Sequence, residues 1–529
     1  MKAKKLTRWI GRVMAGTMAL VLTLGMGLQP VKVEAKNSRL TGKTATEIVE
    51  MLGVGINIGN SLDATGGSGI NCYTQEISWG NAILSQTLFD SIAAEGFTMV
   101  RIPVTWYPNI SDDGTYTIRE DFLARVKEVV DYAYNAGLFV ILNTMHEDFT
   151  EEAGLVTDLE AHAEELCAVW QQLADAFADY DQHLIFESMN EPRNGDQWTG
   201  YAQANAAINY MNQVFVNTVR CNGKGYNNER CLMIQGYAAS GDASSLRGIS
   251  LPTYRGEVCN NLIISTHSYT PYSLCLTDDD STFDEADAKA IDTVYAGIKE
   301  YFLDYGIPVV MGETGCTNTM DNTEERTAWA AYFASKSASY GVPLCLWENG
   351  SNGLTGGENH AYVNRETGEW YSKYECIVEA FINGFKDTEW RSALTDEDEE
   401  EGGTREITYY ANGGIYQIGS SYPADPSYDN LTFEGWYTTP DYQEGTKLDI
   451  TKVSGKVNAY AKYTLDPSVY GLEDNGSTGT AVRPLPIVVF VVMAVIAVVA
   501  IVVARTRRKK AAAGTSEPSG ANAGEKIEG

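Results

Sequence analysis

Short apolar runs recur along the chain at intervals of roughly forty residues: Val54–Ile58, Phe97–Ile102, Leu138–Leu142, Leu184–Phe186, Leu232–Ile234, Leu262–Ser265, Pro308–Met311 and Pro343–Trp347. They are rich in Val, Ile and Leu and do not alternate with polar residues, as in strands buried on both faces. Between them lie stretches with helical periodicity. In Glu120–Ala136, the residues Phe122, Leu123, Val126, Val129, Val130 and Ala133 share one face, and Gly137 stands where a helix cap is expected. Eight such strands separated by helices predict an α/β fold, a (β/α)₈ TIM barrel over residues 37–394. The competing architecture is a doubly wound open sheet. In a barrel, reactive side chains sit just after the strands, so the residues closing each run are the ones to read.

The pattern changes outside this segment. Residues 395–403 include the acidic, glycine-ended run Asp396–Gly403, which reads as a linker. Residues 404–466 alternate in Ile407–Tyr410 and Val457–Tyr463 around Phe433–Tyr437, which predicts a small β-rich module; a second linker follows at 467–484. Residues 1–35 combine Lys2, Lys4, Lys5, Arg8 and Arg12 with an apolar stretch, Val13–Leu28, and small residues before a cleavage site, the form of a signal peptide. Residues 485–504 carry no charge and are long enough to span a bilayer as a helix. The basic residues that open the tail at 505–529 place that tail in the cytoplasm. The expectation is an exported protein at the cell surface, held by a single-pass membrane helix with its main domain outside.

Charge and composition narrow the partners. Seventy Asp and Glu against 39 Lys and Arg give a net charge of −31, which repels phosphate backbones and argues against nucleic acid. The 44% hydrophobic content is enough for full-sized cores. Nine cysteines without a C-x-x-C pair remove the usual zinc and thioredoxin readings, and their pairing is not legible. Gly53, Gly55 and Gly59 do not have the spacing of a dinucleotide fingerprint. No metal and no cofactor is implied.

The strand ends supply the chemistry. Asn190-Glu191-Pro192 follows the fourth run, and Glu313 follows the seventh. His267 and Tyr269 close the sixth, and Trp347 the eighth. Two carboxylates from different strands, one as acid/base and one as nucleophile, are what retaining glycoside cleavage requires at a separation of about 5–5.5 Å.

Taken with Gly55–Asp63, Glu76–Asn81 and Gly96–Trp106, these residues resemble glycoside hydrolase family 5, and within it the endo-β-1,4-glucanases of subfamily 4, over about residues 45–385. The resemblance implies a β-glucan polysaccharide as substrate. It makes Glu191 the acid/base and Glu313 the nucleophile, with Asn190 on the 2-hydroxyl of the sugar being cleaved. Arg101 and Tyr269 orient Glu313 and hold it ionised, and His267 borders the acid/base. Trp347 is the floor for a glucose ring, and Trp79 a further sugar platform. At the end of strand 3 the chain departs from the family, reading Asn143-Thr144-Met145-His146. Met145 stands where a His is usual, and His146 matches the second His of the usual pair, so strand alternation leaves its direction open. Residues 404–466 resemble a Listeria–Bacteroides (internalin B-type) repeat, either a spacer whose aromatics form its core or a sugar-binding unit exposing Trp436, Tyr437 and Tyr442. Xyloglucan, mixed-linkage glucan or mannan would use the same machinery. A catalytically silent glycan-binding protein is the alternative of another class, and the presence of both Glu191 and Glu313 argues against it.

Overall fold

The computed structural model describes residues 39–465, apart from segments at 68–70, 148–153, 256, 278–280, 319–320, 354–357, 390–405, 412–413, 426–430, 439–444 and 454–455. The expected signal peptide, linkers, hydrophobic span 485–504 and basic tail all lie outside the described residues.

Eight parallel strands close into a barrel: β1 (Val54–Asn57), β2 (Met99–Ile102), β3 (Phe139–Asn143), β4 (Leu184–Glu187), β5 (Leu232–Ser240), β6 (Leu262–His267), β7 (Val309–Thr314) and β8 (Leu344–Leu346). The order β1-β8-β7-β6-β5-β4-β3-β2 returns on itself, so the open-sheet alternative does not hold. A helix follows each strand: α1 (Gln86–Glu95), α2 (Glu120–Ala136), α3 (Leu159–Ala176), α4 (Ala202–Asn222), α5 (Ala243–Leu246), α6 (Glu285–Tyr301), α7 (Thr323–Ser339) and α8 (Glu375–Lys386). Helix α2 buries Phe122, Val126, Val129, Val130 and Ala133, and ends at Gly137 with φ of 88°. That backbone conformation costs a side chain energy and glycine very little.

Helix Ala45–Met51, opened by a Thr44/Glu47 capping box, sits at the N-terminal end of the barrel. Its Ala45, Ile48 and Val49 pack with Met99, Ile141, Ile185, Met233, Ile263, Val310 and Cys345 from the strands. Truncating one of the large members to Ala costs about 2–5 kcal/mol. The lower lumen is thus filled with apolar side chains and the polar residues are left to the C-terminal mouth. Only β5 runs well beyond its apolar run. Its register slips between Gln235 and Ser240, where Ala238 and Ala239 take φ of 52° and 45°. The Ala238 N–H donates to Pro192 O at 2.8 Å, so the irregularity props the loop that follows Glu191.

Residues 406–465 form a four-stranded sheet: β9 (Glu406–Ala411), β10 (Gly414–Gly419), β11 (Leu431–Tyr437) and β12 (Lys456–Leu465), in the order β10-β9-β12-β11. Trp436 is only 4% exposed and packs with Ile407, Tyr409, Leu448, Ala459 and Ala461. It belongs to the core of the sheet, the placement that the spacer alternative expects and the sugar-binding alternative does not; Tyr442 lies outside the described residues.

The cell-surface location with a single-pass anchor is corrected. No helix among the described residues is long and apolar enough to cross a membrane. All nine cysteines are free thiols.

Candidate active site

The site is built on Arg101. Side chains at the last turn of each strand enter the lumen at one level, because register sets Asn57 opposite Arg101, Asn143 opposite Glu187 and His267 opposite Glu313. The Arg101 guanidinium is fully buried and spends its donors on four acceptors. Nε reaches Glu187 Oε2 at 2.6 Å, Nη1 reaches Glu313 Oε1 at 2.6 Å and Asn57 Oδ1 at 3.1 Å, and Nη2 reaches Asn190 Oδ1 at 2.8 Å. Ser265 Oγ donates to the other oxygen of Glu187 at 2.5 Å. Two carboxylates sharing one guanidinium, each with further donors, are compensated although they are out of water.

Glu313 presents its second oxygen to Tyr269, whose hydroxyl donates at 2.8 Å. Burial, then the charge of Glu313, pushes the Tyr269 phenol well above its ordinary value, so it stays protonated and remains a donor. On the other side, His267 Nδ1 lies 2.7 Å from Glu191 Oε1 and 3.8 Å from Glu313 Oε2. One polar atom from each of Glu191, His267 and Glu313 can be chosen so that all three lie within 4.8 Å of one another. Burial lowers the affinity of His267 for a proton, but Glu313 and Glu191 outweigh it and raise its pKa above the usual imidazole range. Burial of Glu191 acts against ionisation, yet its bond to His267 outweighs it and holds the carboxyl below the usual range. The two shifts reinforce each other: the carboxylates favour a proton on the imidazole, and the imidazole favours the ionised form of Glu191. Gly312 makes room for this arrangement, since a Cβ there would come 3.0 Å from His267 Nε2.

Trp347 follows β8 and is 5% exposed. Gly59 lies against its ring; a Cβ at that position would come 2.6 Å from Cη2. The glycine in the Gly55–Asp63 landmark is thus explained by the tryptophan it supports. Trp79 is exposed, and its ring centroid lies 5.6 Å from that of His146. The chain has left the strand after Asn143, so alternation no longer governs His146. It turns to Trp79, and its Nε2 comes 3.9 Å from Asp63 Oδ2, while Met145 is buried below with its sulfur 3.8 Å from Asn143 Nδ2. The mouth thus brings together Glu191, Glu313, Asn190, Arg101, His267 and Tyr269, and Trp79 pairs with His146.

Several residues with no role assigned from the sequence hold this frame. Glu187 is the second carboxylate on Arg101. Glu76 binds Arg125 of α2 at 2.8 Å and accepts from Leu84 N at 2.6 Å, which ties down the loop bearing Trp79. Asn81 Nδ2 donates to Asn60 O and Asn349 O, joining that loop to the ones after β1 and β8. Arg365 joins Glu348 at 2.5 Å and Ser61 Oγ at 2.7 Å. Glu358 adds a third carboxyl, raised above its usual range by desolvation, then by the charges of Glu313 and Glu191. His360 is buried behind Tyr269, with ring centroids 6.1 Å apart, and burial brings its pKa down to about 3. The sequence signal for these residues was position alone: each ends a strand or lies in a connection at the mouth.

A closed parallel barrel with paired carboxylates at its C-terminal mouth defines the class as a glycoside hydrolase. Residues 62–353 match the family model described as Cellulase (glycosyl hydrolase family 5), and the chain belongs to that family. It is 38% identical over 348 residues to Endoglucanase B of Ruminococcus albus, covering 65% of this chain and 81% of that protein. A GH5-4 broad specificity endoglucanase from Ruminococcus champanellensis with bound cellotriose superimposes with a TM-score of 0.61 at 34% identity, over 65% of this chain and all of the other. A xyloglucan-specific endo-β-1,4-glucanase from a metagenomic library, in complex with cellotriose, gives a TM-score of 0.59 at 37% identity, over 64% and 98% of the two chains.

Proposed function

We propose that this glycoside hydrolase cleaves internal β-1,4-glucosidic bonds with retention of configuration, Glu313 acting as nucleophile and Glu191 as acid/base. The observation that carries the reading is the close approach of the two carboxyl groups around His267, within 4.8 Å. Inverting enzymes hold their carboxyls about 6.5–9.5 Å apart to leave room for a water between acid and base, and retaining ones about 5–5.5 Å apart. In the first step Glu313 attacks the anomeric carbon while Glu191 delivers a proton to the leaving glycosidic oxygen, drawing on the proton shared with His267. In the second step Glu191 takes a proton from water, which attacks the same carbon and releases Glu313. Asn190 gives its amide oxygen to Arg101 and so has its N–H groups left for the sugar 2-hydroxyl. Trp347 offers a near-buried aromatic face as floor, with Trp79 and His146 as the outer wall.

A β-glucan substrate is supported by the relatives, which are endoglucanases, two of them solved with cellotriose bound. The four-stranded sheet, read as a Listeria–Bacteroides-type repeat, acts as a spacer, since its tryptophan is spent on its own core. Incubation with carboxymethyl cellulose, xyloglucan, mixed-linkage glucan and mannan tests the proposal. Viscosity of a β-1,4-glucan is expected to fall well before reducing ends accumulate, and Glu313→Ala is expected to abolish both while binding remains. Absence of reducing sugar from every polymer would contradict it.

A further inference from the structure

Glu187 has no part in the proposed reaction, yet it shares Arg101 with the residue that attacks. It ends β4, just ahead of Asn190 and Glu191, and is fully buried. A carboxylate out of water costs free energy unless donors compensate it. Two do so here: Arg101 Nε donates to Oε2 at 2.6 Å, and Ser265 Oγ donates to Oε1 at 2.5 Å. Arginine and a hydroxyl would be simpler to bury without this second acid, so its presence beside the nucleophile calls for a role.

That role is to divide a charge. Arg101 gives Nη1 to Glu313 and Nε to Glu187, both at 2.6 Å, so one guanidinium faces two carboxylates. Burial acts against the charge of Arg101, but Glu187, ahead of Glu313, outweighs it and holds the guanidinium above its ordinary range. Glu313 therefore feels Arg101 with Glu187 behind it, well short of a full positive charge. The two chemical steps respond unequally to that potential. In the first, Glu313 gives an electron pair to the anomeric carbon while positive charge grows on the sugar ring, and added positive potential opposes both changes. In the second, the bond from the anomeric carbon to Glu313 breaks and its electron pair returns to the carboxylate, while positive charge again grows on the ring. Added positive potential favours the first of these changes and opposes the other, so the effects offset.

We infer that Glu187, seated by Ser265, is a positioning residue that withholds part of the Arg101 charge from Glu313 and so keeps Glu313 reactive in the first step. The inference rests on the double-displacement reading above. Glu187→Gln removes the charge and keeps the shape, with an amide oxygen for Arg101 Nε and an N–H for Ser265 Oγ. The test uses 2,4-dinitrophenyl β-cellobioside, whose leaving group departs so readily that kcat reports the second step, while kcat/KM reports the first. Glu187→Gln is expected to lower kcat/KM about tenfold or more, and kcat by less than about threefold. A residue that only held the fold would lower both alike, because one Glu313 geometry serves both steps. Ser265→Ala keeps the charge of Glu187 and removes the donor that competes with Arg101 for it. Its ratio of kcat/KM to kcat is therefore expected to equal or exceed that of the unmodified enzyme. Equal losses or no loss in Glu187→Gln, or a fallen ratio in Ser265→Ala, would overturn the assignment. An unmodified enzyme whose first product is inverted would instead overturn the two-step reading, and the role of Glu187 with it.

Discussion

Arg101 and Glu313 meet at 2.6 Å, although they rise from β2 and β7, separated by two strands in the closed sheet and by 212 residues in the chain. The contact spans the lumen, and Tyr269 grips the other oxygen of Glu313 from β6. Glu313, the proposed nucleophile, is therefore held by two donors that do not depend on each other. Tyr269→Phe removes one of them and leaves the ring in place. A hydrogen bond to a charged group is worth ~1.5–3 kcal/mol, so kcat is expected to fall about ten- to a hundredfold with little change in melting temperature. Unaltered kcat would show that Arg101 alone suffices.

In the proposed mechanism Glu191 and His267 share a proton, and its loss is expected to set the basic limb of the pH profile. His267 has a raised pKa, so the proton is present below the ordinary imidazole value of ~6.5 and is lost only as pH rises through the higher folded value. Without His267 the proton rests on Glu191 alone, an acid of ordinary value ~4.3 that burial raises. His267→Asn is expected to move the basic limb of kcat/KM to lower pH. A limb that stays or moves upward would show that the pair does not share the proton.

His360 works in the opposite direction. Its folded pKa is brought down to about 3, so the unfolded chain binds the extra proton and stability is lost as pH falls below ~6.5. At pH 5 the loss from this group is ~2 kcal/mol relative to pH 7. His360→Phe should flatten the acid side of the stability curve measured by denaturant unfolding, while activity at neutral pH persists. A curve that falls as steeply in the variant would assign the acid loss to other groups.

The eight strands and both carboxylates were legible because each lives in local sequence: an apolar run, then a polar residue where the run ends. The small sheet was legible as alternation, which left Trp436 open between its core and its surface, since alternation does not say which face is covered. The frame below the site was equally hidden. Arg101 joins residues 44, 86, 89 and 212 positions away, and Glu76 finds Arg125 across 49. Pairings of that range depend on closure of the barrel, which no window of sequence contains. His146 was open for a related reason: the strand ends at Asn143, and the rule of alternating faces ends with it.

Gly59 and Trp347 form a second long-range pair that can be tested. Gly59→Ala puts a methyl group 2.6 Å from the indole and must displace it. Overpacking of this kind costs about 1–3 kcal/mol of stability, and a shift near 1 Å of Trp347, the proposed sugar floor, costs about a hundredfold in rate. Lower kcat is expected on every substrate, including those with small leaving groups. Full activity in this variant would remove Trp347 from the floor of the site.

The stereochemistry of the first product tests the central claim most directly. Proton NMR of a cello-oligosaccharide digest, recorded before mutarotation, reads the anomer as it forms. Double displacement through Glu313 predicts that the β-anomer appears first and the α-anomer grows in later. An α-anomer formed first would contradict the two-step assignment of Glu191 and Glu313.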